Sequence, residues 1–174
     1  MISRGTRRTI GIDALPRRQK GECRWCGGPV PKGRRCWCSQ TCVDQYMVRS
    51  RPNYAAVLLL KRDHGVCVAC GADCEKIERV LSSIYRQQPY CYEGEWSRGQ
   101  LVTDTIEAIG FGRSILPRRL WEVDHVQPVE QGGGTCGVEN LQTLCMGCHK
   151  DKTRLQRAHK AQVWLVNTGC IGGL

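Results

Sequence analysis

"WEVDHVQPVEQGGGTCGVENLQTLCMGCHKDKT", Trp121 to Thr153, crowds one aspartate before a histidine, an asparagine, a Cys-x-x-Cys pair and a second histidine into one short stretch. Residues 120–129 alternate and are rich in Val and Trp, which predicts a strand. The run Gly132 to Gly134 predicts a loop where backbone can approach closely. Residues 140–145 predict a short second strand, and residues 147–166 a helix. The order strand, loop, strand, helix is what gives the polar residues a common purpose.

Hydrolysing a phosphodiester requires a base for water, neutralisation of a phosphoryl oxygen, and stabilisation of the leaving oxygen. A neutral imidazole is a suitable base near neutral pH. A carboxylate with an imidazole suits a divalent cation that keeps open positions. Asp124 and His125 are adjacent on a strand, so their side chains point to opposite faces. If Asp124 faces the helix it can share a cation with His149, which leaves His125 free to act as base. Asn140, just before the second strand, is expected to hydrogen-bond His125 and fix its tautomer. Glu122 is expected to be an exposed strand carboxylate, and Trp121 a packed aromatic.

Thirteen cysteines in 174 residues, with a single Phe, predict cross-linking in place of some apolar burial. An odd count fits disulfides poorly, and the start of the chain has no apolar run of signal-peptide length. An intracellular, cytoplasmic setting with reduced thiols, in a bacterial or phage-encoded protein, is the expectation. Cys67 with Cys70, and Cys145 with Cys148, form two pairs suited to one tetrahedral structural zinc. Cys23, Cys26, Cys38 and Cys42 suit a second, with Cys36 as an alternative to Cys38. Cys74, Cys91, Cys136 and Cys170 are expected to be free thiols, while Trp25 and Trp37 would cover the N-terminal zinc unit.

The formal net charge is +10, from 26 Lys and Arg against 16 acids. Such an excess favours polyanions, nucleic acid above all. Arg4, Arg7, Arg8, Arg17, Arg18 and Lys20 lie on a basic arm. Arg118 and Arg119 precede the opening motif, and Lys150, Lys152 and Arg154 follow it on the helix; these five are the expected DNA contacts. The longest aliphatic run, Val57 to Leu60, is far too short to span a membrane. No G-x-x-x-x-G-K-[ST] phosphate loop occurs.

Four regions follow: a flexible arm over 1–20, an N-terminal zinc unit over 21–50, a main domain over 51–166 and a tail over 167–174. Ser39 can cap a helix from Gln40 to about Ser50. Pro52 suits the first turn of a second helix that Gly65 would stop. Two further helices are expected at residues 75–85 and 101–109.

With these residues in place, the stretch from Val123 to Thr153 resembles the HNH endonuclease family, whose motif is the ββα-metal finger. The carriers are the "DH" of the first strand, the asparagine of "NLQTLC" and the histidine of "CHKDKT". The zinc-containing form is similar to the C-terminal nuclease module of an animal annealing helicase and endonuclease, and to short bacterial and phage proteins of the same layout. The resemblance extends upstream through "WCSQTC" and "HGVCVACG". It implies a small, zinc-stabilised α+β fold: a treble-clef-like HNH finger with added helices and an N-terminal zinc-binding unit. It also implies His125 as general base, Asn140 as its orienter, and Asp124 and His149 as ligands of one Mg²⁺ or Mn²⁺. DNA would be cut to leave 5′-phosphate and 3′-hydroxyl ends. A non-catalytic zinc-finger adaptor and an RNA-directed nuclease are the competing readings, and a homodimer is left open.

Overall fold

The computed structural model describes residues 15–51, 53–87, 98–111 and 119–167. Its elements are helices α1 (Gln40–Ser50), α2 (Tyr54–Asp63), α3 (Cys74–Gln87) and α4 (Arg98–Ala108), strand β1 (Trp121–His125), strand β2 (Leu141–Cys145) and helix α5 (Met146–Asn167). Short 3-10 turns at Val129–Gln131 and Val138–Asn140 lie between the strands. The chain forms two compact units, neither contiguous in sequence. One comprises residues 1–64 and 123–142, the other 65–122 and 143–174.

In the first unit, α1 begins where Ser39 accepts a hydrogen bond from the Cys42 amide, which satisfies one of the amides that a helix start leaves open. The Tyr54 hydroxyl donates to Asp44 at 2.7 Å and ties α2 back to α1. Ala55, Ala56 and Leu59 bury the inner face of α2. That helix ends at His64, which takes a left-handed conformation (φ 53°) and donates its amide to the Leu60 carbonyl. The expected stop at Gly65 thus falls one residue earlier, on a histidine.

In the second unit, α3 packs against α4, and Leu81, Val102 and Ile106 are buried together with Phe111, Leu120 and Leu144. Trp121 is 1% exposed. Its indole N–H donates to Glu75 at 3.2 Å, and the Leu120 amide donates to Glu78, so α3 holds the start of β1 by two carboxylates. Burial raises the Glu78 pKa, partly offset by the Leu120 amide. Trp121 is therefore a packing residue, in keeping with its expected role.

The two strands form a single two-stranded sheet. The Val126 amide bonds the Asn140 carbonyl at one end, and the Met146 amide bonds the Leu120 carbonyl at the other. These bonds set an antiparallel register in which Asp124 faces Gln142. The strand predicted over 120–129 is shorter than expected. It ends at His125 because Pro128 has no amide to give a ladder and the chain turns into the first 3-10 segment.

Replacing Trp121 with Ala should lower the stability of the zinc-loaded protein by about 3–5 kcal/mol in chemical denaturation, because the large ring is lost from a buried site. A cost below about 1 kcal/mol would show that β1 does not depend on that anchor.

Candidate active site and metal centres

The Cys-x-x-Cys segments fold alike. Each is followed by a glycine at positive φ, Gly27 at 79° and Gly71 at 74°, a conformation glycine adopts without strain. Each glycine amide bonds back to the first cysteine's carbonyl, at 2.9 Å for Cys23 and 2.8 Å for Cys67. The resulting turn points both sulfurs the same way. A helix start supplies the other two thiols in each unit: Cys38 and Cys42 around the Ser39 cap, and Cys145 and Cys148 at the head of α5.

Within each of the sets Cys23, Cys26, Cys38, Cys42 and Cys67, Cys70, Cys145, Cys148, the sulfurs lie within 4.8 Å of one another. Cys26 to Cys38 and Cys38 to Cys42 are 3.5 Å, and Cys70 to Cys145 is 3.8 Å. Zinc–sulfur bonds of about 2.3 Å at tetrahedral angles require edges of about 3.8 Å, so the residues fit zinc. Cys36 stands outside the first set; its carbonyl instead accepts from the Arg24 amide.

The thiol chemistry points the same way. Burial pushes Cys23 up, yet the amides of Cys26, Cys38 and Trp25 outweigh it and bring its pKa down to about 6. Cys67 is likewise brought down to about 7, where burial is outweighed by the amides of Cys145, Cys70 and Ala69. Burial and neighbouring sulfurs push Cys42 up to about 12, and they raise Cys148 as well. In each set one thiol is lowered while others resist deprotonation. A bound dication removes that resistance by neutralising the accumulated charge.

Among the expected free thiols, Cys74 is buried and Cys136 is half-buried, while Cys91 and Cys170 lie outside the described residues. Trp37 stacks on Tyr46 with ring centres 5.1 Å apart, and Trp25 lies under the Arg49 guanidinium.

The motif residues divide between the two units. His125, at the end of β1, lines a shallow, open recess together with Val48 and Arg49 of α1, Ala55 of α2, Thr135 and Leu141. Asp124 accepts a hydrogen bond from the Gln142 amide group at 3.0 Å, its partner across the sheet. Both belong to the first unit, with Asn140. His149 sits in the first turn of α5, in the second unit, where its carbonyl accepts from the Thr153 hydroxyl at 2.8 Å.

Asn140 departs from the role expected of it. Its carboxamide oxygen accepts from the Gln127 amide at 2.8 Å, and its nitrogen donates to the carbonyls of Gln127 and Gly133, each at 3.2 Å. The side chain is spent on backbone. It staples the loop that leaves His125, and it does not bond the imidazole. Gly133 belongs to the same staple: a Cβ there would stand 2.0 Å from the Gln127 carbonyl oxygen and 2.7 Å from the Asn140 nitrogen.

Two residues that sequence reasoning passed over support this arrangement. Arg62 of α2 donates to the carbonyls of Val138 at 3.0 Å and Leu141 at 2.8 Å, gripping the turn that carries Asn140 from both ends. Asp63 orients that guanidinium through a 2.6 Å ion pair. Gln142 is the other, legible only once the strand register is known.

The expected DNA contacts have mixed surroundings. Arg119 is exposed and stacks on the Trp121 ring, 5.1 Å from its centre. Lys150 is exposed and reaches the Phe111 carbonyl at 3.4 Å. Arg154 pairs with Asp151 at 3.2 Å on the solvent side of α5, and Lys152 is half-buried. Arg118 lies outside the described residues, as do Arg4, Arg7 and Arg8 of the arm.

Comparison with known proteins adds to these observations. Residues 112–155 match the family described as HNH endonuclease. The chain is 31% identical over 128 residues to "DNA annealing helicase and endonuclease ZRANB3" of Mus musculus, and equally to that of Homo sapiens. Those alignments cover 73% of this chain and 12% of each relative, so the chain spans a small part of their length. The human ZRANB3 HNH domain in its crystal structure is 28% identical, with 66% of this chain and 96% of that one covered and a TM-score of 0.41.

The first cysteine set can be tested by substitution. Elemental analysis should find two zinc ions per chain in Cys36→Ser and one in Cys38→Ser; equal loss in both would place Cys36 in the ligand shell. Gly133→Ala should retain both zinc ions yet lower the melting temperature by several degrees, since a clash with backbone cannot be relieved by a side-chain rotation. An unchanged melting temperature would mean that the staple tolerates a displaced loop.

Proposed function

We propose that this chain hydrolyses DNA phosphodiester bonds with His125 as general base and one divalent cation as electrostatic partner. The observation that supports the reading is His125 lining an open recess at the end of β1, before a loop that Asn140 pins through its backbone. The cation is assigned to Asp124 and His149 by the family motif. Two protein ligands leave open positions, as Mg²⁺ and Mn²⁺ sites on nucleic-acid substrates generally do. When bound, such an ion neutralises phosphoryl charge and stabilises the leaving oxygen.

The protein's own part is proton transfer and placement. The neutral imidazole of His125 takes a proton from water as its oxygen attacks phosphorus. An O–P bond forms, the P–O3′ bond breaks, and the departing oxygen picks up a proton. The products are a 5′-phosphate and a 3′-hydroxyl. Asn140 keeps the loop after His125 from drifting, and it acts as a positioning residue. Gln142 holds Asp124 in one orientation, which matters because small errors in placement are costly in catalysis. The two cysteine sets are read as structural zinc centres, each supplying folding free energy on the order of 10 kcal/mol. Arg119, Lys150, Lys152 and Arg154 would meet phosphates along the duplex, with binding that weakens as salt rises.

Supercoiled plasmid incubated with the protein and Mg²⁺ or Mn²⁺ should be nicked or linearised. His125→Ala should lose that activity by at least about a hundredfold, the typical contribution of a general base, while still binding DNA. Equal cleavage by both proteins would remove His125 from the chemistry. Binding without cleavage by either would leave a zinc-braced DNA adaptor, and preference for labelled RNA run in parallel would redirect the substrate.

A further inference from the structure

The N-terminal zinc unit delivers a cation to the recess that His125 lines. Arg49 stands in the last turn of α1, seven residues after the ligand-set Cys42, and forms part of the recess wall beside His125. Its conformation is fixed at two points. One guanidinium nitrogen, Nη1, donates to the Gln45 carbonyl and to the Gln45 side-chain oxygen. The face of the guanidinium lies 4.8 Å from the centre of the Trp25 ring, and Trp25 stands between Cys23 and Cys26 on the first cysteine turn.

Those contacts satisfy only one edge of the side chain. Nε and Nη2 make no hydrogen bond among the described residues, and Arg49 makes no ion pair there. The two acids of the described N-terminal segment are engaged elsewhere: Asp44 with Tyr54 and Gln40, and Glu22 with the Gln19 amide. Val48, Ala55 and Leu141 supply the apolar part of the same lining, and His125, Thr135 and Cys136 the rest. Between Arg17 and Arg51 there are nine Lys and Arg and only those two acids, so this segment is strongly basic.

A purely structural arginine at a helix C-terminus would account for Nη1 and for the stacked face. It does not account for a second donor edge left open beside an imidazole. A guanidinium presents paired N–H groups in a fixed fork that matches two phosphate oxygens, and stacking on Trp25 reduces the entropy lost in aiming it.

We propose that Arg49 contacts the non-bridging oxygens of the phosphate attacked at His125, and so is a catalytic residue contributed by the N-terminal zinc unit. The inference rests on the endonuclease reading above. Charge develops on those oxygens as water adds, and a preorganised donor in a walled recess stabilises it more than it stabilises bound substrate. The first zinc centre then serves catalysis indirectly, since the turn it closes carries the ring that splints Arg49.

The test uses the full chain loaded with both zinc ions, in single-turnover cleavage of plasmid DNA. Arg49→Ala should cleave about 10²–10³-fold more slowly, as expected for loss of a transition-state donor, with duplex affinity changed by less than about fivefold. Adding guanidinium ion at millimolar concentration should recover at least about tenfold of that loss and should not accelerate the wild type, because only the variant has a vacated site for the ion. A structural role would show neither the split between rate and affinity nor the rescue. Should Arg49→Ala lose its zinc, the comparison moves to Arg49→Lys and Arg49→Met, which both keep a stem over Trp25. Lys should then exceed Met by at least about tenfold, and equal rates would overturn the proposal. Wild-type-like cleavage by Arg49→Ala overturns it while leaving the endonuclease reading intact. An inert wild type sinks that reading, and this inference falls with it.

Discussion

Four thiols held within the reach of one ion determine the rest of this structure. Cys67 and Cys70 meet Cys145 and Cys148, and Cys70 and Cys145 stand 75 positions apart in the sequence. Closing so long a loop carries a substantial entropy cost that grows only slowly with length. A tetrahedral zinc site suits that task because its bonds replace the many contacts a larger core would need. With one Phe in 174 residues, apolar burial alone is poorly supplied. The consequence is local: the head of α5 is fixed at Cys145 and Cys148, and His149 is the very next residue.

The same device recurs in the first unit. A cysteine turn and a helix start gather Cys23, Cys26, Cys38 and Cys42, and the helix that begins there carries Arg49 in its last turn. The recurrence is structural before it is functional, since a Cys-x-x-Cys-Gly turn followed by a capped helix is a short way to aim four sulfurs at one point. Each copy carries one polar side chain to which a role is proposed above, Arg49 in the last turn of its helix and His149 in the first turn of α5.

Much of this was legible in the sequence. The Ser39 cap, the bounds of α1 and the strand–loop–strand–helix order follow from local pattern, because caps and periodicity are local physics. The cysteine sets follow from spacing, though choosing Cys38 over Cys36 required the turn geometry. Strand β1 was overread because the alternation through Val126 and Val129 persists after the chain has turned at Pro128. Asn140 was read as a partner for an imidazole, whereas it bonds the backbone of Gln127 and Gly133. Backbone acceptors leave no mark in a sequence, and the same blindness hid Arg62, whose targets are the carbonyls of Val138 and Leu141. The one side-chain trace of the staple is Gly133, conspicuous only as the middle of three glycines.

That contrast explains what a motif of this kind encodes. Its intervals specify which residues recur, while the partners that give them meaning are carbonyls and amides shaped by the fold. Asn140 illustrates the difference. As an orienter of the imidazole, its loss would alter the proton affinity and tautomer of His125 directly. As a staple, its loss frees the loop from Gln127 to Gly133 and lets the imidazole wander, with the ring's own chemistry intact. The two roles separate in kinetics: an altered base shifts the pH dependence of cleavage, whereas a loosened loop lowers the rate at every pH. Because both oxygen and nitrogen of the Asn140 carboxamide are already engaged by backbone, the second behaviour is the one expected under the proposed function.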